Sequence, residues 1–200
     1  MIIYGTFLIE SCDEFNNIKG NLPNSIFKLQ NLESLRMFSN QLEGNLSSDI
    51  AKLKKLKVLE IYNNNFEGEI PESIGELTKL ELLGLSSNQF TGKLPTTISE
   101  LSSLKLLSVF DNNLFGAIPS NIGSLSNLEE LVLSNNGFYG QLPSSIAKLE
   151  KLNTLLLGNN NFTGNFAKLQ EQMPHIVNID IDANNRKGEL VTLDEVIDDN

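Results

Sequence analysis

The sequence contains one cysteine and one histidine, and their scarcity excludes several kinds of chemistry. Cys12 stands alone among 200 residues, so the chain can form neither an internal disulfide nor a thiolate metal cluster. His175 is also alone, which excludes zinc sites built from several histidines. No apolar run approaches the roughly 18–20 residues that cross a bilayer, so the sequence predicts no membrane span.

Positive charge is in the minority. The 15 basic residues face 25 acidic ones, for a formal charge of −10, which argues against nucleic acid or an anionic membrane surface as the main partner. Hydrophobic residues make up 40% of the chain, enough to bury a core. Residues 180–200 carry half of the net charge, with seven acids against two bases, and they predict an acidic C-terminal tail at 191–200.

The first ten residues are apolar, as in a signal peptide, but they have no basic start and no small-residue cleavage site. They also fit the repeat described next. We therefore predict no targeting segment, and the composition leaves the compartment open.

The chain repeats itself every 24 residues. Counted from Leu29, large apolar residues recur at positions 1, 4 and 7 of each unit. A single unit of this length cannot bury its apolar side alone, so neighbouring units must stack and share a core. Position 12 is always asparagine and predicts a structural ladder of Asn16, Asn40, Asn64, Asn88, Asn112, Asn136, Asn160 and Asn184.

Each repeated residue type suits one place in such a unit. Alternating apolar residues at positions 7 and 9 predict a short strand with one buried side. The asparagine carboxamide both donates and accepts, so it can satisfy backbone groups of its own turn and of the neighbouring one. Glycine at position 16 suits a positive φ or a close approach. An apolar residue at position 14, such as Phe66, predicts a buried spine.

These residues carry a resemblance to a known family. The unit L-x-x-L-x-x-L-x-L-x-x-N-x-L/F-x-G-x-I/L-P resembles leucine-rich repeats, its G-x-I/L-P segment is similar to the plant-type subclass, and residues 77–100 match almost throughout. The resemblance implies an α/β fold, a right-handed solenoid with a parallel inner β-sheet, a second short strand and helical turns on the outer side. It covers residues 5–190, as eight units of which the first and last are degenerate.

The pattern departs from the family near both ends. The first unit has Gly5, Ser11 and Asp13 in place of leucine, the seventh has Ala167 in place of proline, and the repeat stops after Leu190. Secreted members of the family usually carry cysteine-paired caps, which these residues do not supply. The chain is therefore a fragment of a longer array, or has a degenerate cap, or acts where disulfides do not form.

The inner side of the predicted sheet is the candidate ligand surface. Positions 6, 8 and 10 point away from the buried positions 7 and 9, and their residues vary between units. Exposed apolar stripes of this kind indicate interaction surfaces, although packing among neighbours without a ligand is the alternative. The predicted ligand-binding residues are Phe38, Val58, Tyr62, Leu82, Leu106, Phe110, Val132 and Leu156.

The size of this surface limits the partner. Eight strands about 4.8 Å apart span roughly 34 Å, and four strand residues cover about 13 Å. The resulting area, on the order of 450 Å², is below the ~800 Å² per side of a standard protein interface. A peptide fits, whereas a globular partner would also need the flank, where Phe115 and Tyr139 form a second apolar patch.

Catalytic interpretations fail on geometry. Cys12 and His175 lie about seven strand spacings apart, roughly 34 Å, too far for a nucleophile and its base, and a serine triad would have to use the same histidine. No phosphate-binding G-x-x-x-x-G-K-S/T motif occurs. Asp180 and Asp182 alone are too few ligands for calcium. We therefore predict no catalysis, no metal and no cofactor.

The sequence gives two opposing indications of the cellular compartment. Asn45 and Asn161 begin N-glycosylation sequons, which permit a secreted location. The unpaired Cys12, predicted to lie on the inner face, favours a reducing one.

The sequence thus predicts a non-catalytic module that recognises a protein or peptide along its inner face. The family resemblance implies a receptor-like or secreted protein, with neighbouring repeats or a kinase domain elsewhere in a longer chain. The alternatives are an inhibitor of a secreted cell-wall hydrolase, which the resemblance also implies, and a cytosolic interaction scaffold.

Overall fold

The computed structural model describes residues 17–184, which form a solenoid of stacked coils. Cys12, Asn16, Arg186 and both ends of the predicted repeat domain lie outside the described residues. Each coil contributes one strand to an inner sheet, and the inner strands are β2 (Ser34–Arg36), β4 (Val58–Glu60), β6 (Leu82–Gly84), β8 (Leu106–Ser108), β10 (Glu130–Val132), β12 (Thr154–Leu156) and β14 (Asn178–Asp180).

A second strand in each coil lies near the glycine of position 16, as the resemblance implied. These outer strands are β1 (Lys19–Asn21), β3 (Gln41–Asn45), β5 (Asn65–Glu69), β7 (Gln89–Thr91), β9 (Phe115–Gly116), β11 (Gly137–Gln141) and β13 (Asn161–Thr163). A short 3₁₀ helix follows in six coils, at Asn24–Lys28, Ser48–Lys52, Glu72–Glu76, Thr96–Glu100, Ile122–Ser124 and Ser144–Lys148.

All strand pairs are parallel, and each strand pairs with its equivalent in the next coil. The inner sheet has the order β14-β12-β10-β8-β6-β4-β2, with Leu59 opposite Leu83. The outer strands form the sheets β1-β3-β5-β7 and β13-β11-β9. The two outer sheets are linked by Phe115, whose N–H donates to the Gly92 carbonyl at 2.8 Å. The predicted α/β solenoid is confirmed.

The core lies between the inner sheet and the outer strands. Inner-sheet residues such as Leu59 and Ile61, at positions 7 and 9, are fully buried. The spine predicted at position 14 is confirmed: the rings of Phe66 and Phe90 stack with centroids 6.2 Å apart, and those of Phe138 and Phe162 with centroids 6.1 Å apart. Stacked coils therefore share one continuous apolar interior.

The asparagine of position 12 bridges adjacent coils. The Asn112 carboxamide oxygen accepts from the Phe90 N–H at 3.0 Å, and its nitrogen donates to the carbonyls of Val109 and Leu85, each at 3.1 Å. Val109 belongs to the same coil and Leu85 to the preceding one. The bond to a backbone N–H 22 residues earlier recurs at Asn40, Asn64, Asn88, Asn112, Asn136, Asn160 and Asn184.

Two positions in each coil have left-handed backbone conformations. Glycine at position 16 has φ between 73° and 123° in the described coils, as its residue type indicated. Sequence analysis missed the second, position 11, where φ is 50–57°. Asn and Asp tolerate this region better than other residues with a Cβ, and they supply four of the seven cases, which are Ser39, Asn63, Ser87, Asp111, Asn135, Asn159 and Ala183.

The seventh coil differs from the predicted helical turn. Its segment is an α-helix, α1 (Phe166–Gln172), and this helix begins two positions earlier than the 3₁₀ helices that follow a proline. Ala167 stands where those coils have proline, so the backbone N–H and the helical conformation are both available there. The Asn165 side chain caps the new helix by accepting from the Lys168 N–H at 2.9 Å.

Alternating charges line one edge of the inner sheet, at position 5. Lys57 forms an ion pair with Glu33 at 2.7 Å, and Lys105 pairs with Glu81 at the same distance. The hydrogen bond and charge of Lys57 lower the pKa of the Glu33 carboxyl, and Glu33 raises the pKa of Lys57 in return. The contribution of Glu33 to stability is therefore lost as the pH falls below the ordinary carboxyl range. The contribution of Lys57 to stability is lost as the pH rises above the ordinary amine range.

The asparagine ladder predicts a measurable loss of stability on truncation. Asn112→Ala leaves the Phe90 N–H without its partner and removes one of the two amide donors to each of the Leu85 and Val109 carbonyls. The change should lower the free energy of unfolding by about 1–3 kcal/mol. Urea denaturation measures this change. The matched control is Asn113→Ala, an exposed neighbour in the same coil. Equal stability of the two variants would contradict the bridging role.

The charged edge predicts a graded change in melting temperature. Lys57→Glu would place a third carboxylate between Glu33 and Glu81, both of which interact with Lys57 in the parent. Three adjacent coils would then carry a negative charge at position 5. Calorimetry should rank the parent above Lys57→Gln and Lys57→Gln above Lys57→Glu. Salt at about 1 M screens exposed charges, so it should narrow the gap between the two variants. A gap that salt leaves unchanged would argue against an electrostatic origin.

Candidate ligand-binding surface

Positions 6, 8 and 10 of the seven described coils form three columns on the inner sheet, called columns 6, 8 and 10 below. The structure places all eight predicted ligand-binding residues in these columns, on one surface, and each is half-buried. Their neighbours at positions 7 and 9 are buried. Column 10 consists of Phe38, Tyr62, Ser86, Phe110, Ser134, Gly158 and Asp182.

Column 10 lies beyond the strands, which are one residue or more shorter than expected. Strand β2, for example, ends at Arg36. Backbone pairing between coils nevertheless continues, because the Met37 N–H donates to the Glu60 carbonyl at 2.8 Å and the Ser39 N–H to the Tyr62 carbonyl at 3.0 Å. Side chains in column 10 therefore keep the strand spacing.

Two aromatic rings stack at one end of column 10. The centroids of Phe38 and Tyr62 are 4.6 Å apart, and their planes differ by 3°. Burial, assisted by the Glu60 carboxylate and opposed by Arg36, raises the pKa of the Tyr62 phenol. The phenol therefore stays neutral at physiological pH and presents an uncharged ring beside the next coil.

An ion pair lies next to this stack, in column 8. The Arg36 guanidinium Nε donates to Glu60 at 2.7 Å. Arg36 is the single basic residue in the three columns of the described coils. This ion pair places charged groups beside the aromatic stack.

The third of these seven coils has small residues where its neighbours have rings. Ser86 follows Tyr62 in column 10, and its hydroxyl lies 2.6 Å from that of Ser108. Gly84 stands beside it in column 8. A Cβ at Gly84 would meet only ordinary contacts, the nearest being the Glu60 side chain at 3.5 Å. The backbone therefore does not require glycine at this position.

Four column residues contradict the expectation that all three columns are exposed, because Ser34, Gly84, Ser134 and Gly158 are buried. The two serines are only 6% exposed, and neither hydroxyl has a hydrogen-bond partner. Ser86 bonds to the residue 22 positions later, Ser108, but the equivalent neighbour of Ser134 is Leu156. A comparison of residues 22 positions apart could have revealed this unpartnered hydroxyl.

Asp180 and Asp182 form the far end of the surface. The Asp180 carboxylate occupies the space that a Cβ on Gly158 would need, and it accepts from the Asp182 N–H at 3.0 Å. Within residues 17–184 no group of three or more metal-ligating side chains converges. His175 is exposed and contacts the Leu149 carbonyl at 3.1 Å. The part of the chain described contains no helix long and apolar enough to cross a membrane.

The second predicted patch lies on the outer sheet. Phe115 is 46% and Tyr139 51% exposed, on the neighbouring strands β9 and β11. Val177, ahead of β14, is 87% exposed. These three are the large apolar side chains that the described residues expose most, and they lie outside the three columns.

The profile of the family described as Leucine Rich Repeat matches five segments, together more than half of the chain: residues 31–53, 55–77, 79–101, 103–125 and 127–149. No curated protein matches the chain.

Solved structures with the same fold include plant receptors. The ectodomain of the Arabidopsis thaliana receptor kinase GASSHO1/SCHENGEN3, in complex with CASPARIAN STRIP INTEGRITY FACTOR 2, is 40% identical with a TM-score of 0.72, over 74% of this chain and 18% of that one. The Arabidopsis receptor kinase HAESA, in complex with the peptide hormone IDA and the co-receptor SERK1, is 32% identical with a TM-score of 0.79, over 83% and 28%. The chain thus spans less than a third of either receptor.

The fold also occurs with another function. A plant ice-binding protein is 27% identical with a TM-score of 0.70, over 83% of this chain and 61% of that one. Similarity of fold therefore does not decide between functions, and the side chains of the surface must.

The half-buried stripe should contribute little to folding. Leu82→Ser should lower the free energy of unfolding by less than about 1 kcal/mol, because Leu82 is already partly solvated. Leu83→Ser, the matched change one residue along at a fully buried site, should cost about 3–5 kcal/mol. Chemical denaturation of both variants measures the difference. Similar losses would assign Leu82 to the core and not to a ligand surface.

Proposed function

The chain belongs to the leucine-rich repeat family, and we propose that it is a non-catalytic recognition module that binds an extended peptide, or an extended segment of a protein, along the inner sheet. Its binding residues are the eight half-buried apolar and aromatic side chains of columns 6, 8 and 10. Catalysis and cofactors have no part in this function.

The apolar stripe on the inner sheet carries the proposal. Leu82 and Leu106 point away from the core on adjacent strands, and both remain partly exposed. Burying partly solvated apolar side chains of this kind under a ligand is favourable by about 25 cal/mol per Å². The fold obtains its own apolar contacts from positions 7 and 9, so it does not require leucine in column 6.

The dimensions of the surface favour a peptide. Seven described strands about 4.8 Å apart span roughly 29 Å, and the three columns are about 13 Å across. This area, roughly 380 Å², is about half of one side of a standard protein interface. An extended peptide of about nine residues covers the length.

The solved neighbours support the same function. GASSHO1/SCHENGEN3 and HAESA are receptor kinases whose structures contain CASPARIAN STRIP INTEGRITY FACTOR 2 and the peptide hormone IDA, respectively. We infer that this chain belongs to a receptor-like or secreted protein, in which further repeats or a kinase domain accompany it. The predicted boundaries, 5–190 for the repeats and 191–200 for the acidic tail, belong to this proposal.

A peptide-display selection tests the function. The chain is immobilised, and random dodecapeptides are selected on it. A variant with Phe38→Asp, Tyr62→Asp and Leu82→Asp should retain at least about tenfold less of the enriched pool, because the main apolar contacts are lost. Circular dichroism checks that the variant is folded.

The chain offers a matched control for this experiment. Phe115→Asp, Tyr139→Asp and Val177→Asp also replace three exposed apolar residues, but outside the three columns. This variant should retain the pool like the parent. Loss of binding in the control alone would place the site outside the three columns. Failure of the parent to enrich any peptide would reject peptide recognition.

A further inference from the structure

Column 10 contains a gap in a series of aromatic rings. Phe38 and Tyr62 stack with centroids 4.6 Å apart, close to the strand spacing of about 4.8 Å. Ser86 comes next, and Phe110 follows it. Tyr62 and Phe110 are therefore two coils apart, about 9.6 Å. One more ring between them would lie about 4.8 Å from each, which is a stacking distance.

The column 10 residue at this gap is Ser86, which has no ring. The surface beneath the gap is formed by Ser86 and Ser108, whose hydroxyls are hydrogen-bonded to each other at 2.6 Å. This surface therefore does not require a polar group from a ligand. Gly84, next to Ser86 in column 8, has no side chain, although a Cβ at this position would meet only ordinary contacts. Gly84 is buried, and a Cβ there would lie 3.6 Å from the Tyr62 ring, so this ring covers the glycine and borders the gap on that side.

An unpartnered hydroxyl lies two coils further along column 10. Ser134 is 6% exposed, and its hydroxyl has no hydrogen-bond partner. Its diagonal neighbour, Leu156, supplies no polar atom. A buried hydroxyl without a partner is unfavourable, and a ligand with a main-chain N–H or C=O at this point would satisfy it.

The far end of column 10 is acidic. Asp182 lies four coils from Ser86, and the Asp180 carboxylate leans over Gly158 beside it. The single basic residue of the described columns, Arg36, lies at the opposite end and pairs with a glutamate there. The charge at the Asp180–Asp182 end therefore complements a basic ligand group.

We propose, on the basis of the peptide binding proposed above, that the ligand carries an aromatic residue and a lysine or arginine six positions apart. The aromatic ring fills the gap between Tyr62 and Phe110, and the basic side chain reaches Asp180 and Asp182. Four coils span about 19 Å, which an extended chain covers in about six residues of 3.3 Å each.

The spacing also accounts for Ser134. In an extended peptide, side chains six positions apart point to the same side, whereas a residue three positions along points to the other. Ser134 lies about halfway, two coils or roughly 9.6 Å from the gap. The ligand side chain there points away from the sheet, and its main-chain groups come nearest to the Ser134 hydroxyl.

The selection on the intact chain gives the first test. Enriched dodecapeptides should share an aromatic residue and a lysine or arginine six positions apart, in either order. Ser86→Phe places the protein's own ring in the gap, so peptides selected on this variant should lose the aromatic preference. Peptides selected on a variant with Asp180→Asn and Asp182→Asn should lose the basic preference.

Titration of one enriched peptide, resynthesised, gives the second test. Ser86→Phe should raise the dissociation constant about tenfold or more. Asp182→Asn should raise it about threefold, and less at high salt. Ser134→Ala should raise it about threefold without lowering the melting temperature, because its hydroxyl has no partner in the protein to lose. Ser126→Ala, an exposed control outside the columns, should change neither.

The outcomes separate this inference from the proposed function. The enriched peptides could lack the aromatic–basic pair and still fail to bind the inner-sheet triple variant. That result would support peptide recognition by the inner sheet and overturn this ligand assignment. Peptides that carry the pair but bind Ser86→Phe as tightly as the parent would also overturn it. If the parent enriches no peptide, both the function and the inference fail.

Discussion

The carboxamide of the position-12 asparagine is the interaction on which the rest of the structure depends. In one side chain it accepts from a backbone N–H of the preceding coil and donates to carbonyls of both coils, as Asn112 does with Phe90, Val109 and Leu85. These backbone groups lie where the chain turns inward and cannot pair within a sheet. Because an aspartate could only accept, the donors and acceptors of the turn specify the amide.

This bridge holds each coil in register with the next, and the register determines which side chains remain available. Positions 7, 9 and 14 enter the shared core, and position 16 needs glycine for its positive φ. The remaining inner-sheet positions carry no such requirement, so their residues can differ between coils without loss of the fold. Strand spacing alone then sets the distances between ligand-binding groups, which makes the columns a regular scaffold for side chains of any chemistry.

Sequence reasoning predicted the features that depend on one residue type at one position. The burial of Phe66, the left-handed glycines and the position of the eight apolar and aromatic residues on the inner sheet all follow from the repeat pattern, which had predicted those eight side chains to be more exposed than they are. It missed features that depend on pairs of residues in different coils. Ser134 lacks a partner only because Leu156 stands where Ser108 stands for Ser86, and the α-helix at Phe166–Gln172 depends on the cap from Asn165 as well as on the missing proline.

A ligand that crosses parallel strands meets two periods that do not agree. Strands recur about every 4.8 Å, whereas an extended peptide directs a side chain to the same side about every 6.6 Å. Three such peptide steps, about 20 Å, come close to four strand spacings, about 19 Å, while shorter distances match less well. Two side-chain subsites served by one extended peptide are therefore best placed four coils apart. Column 10 has this arrangement, with the ring gap at Ser86 and the acidic end at Asp182, and with Phe110, Ser134 and Gly158 between them.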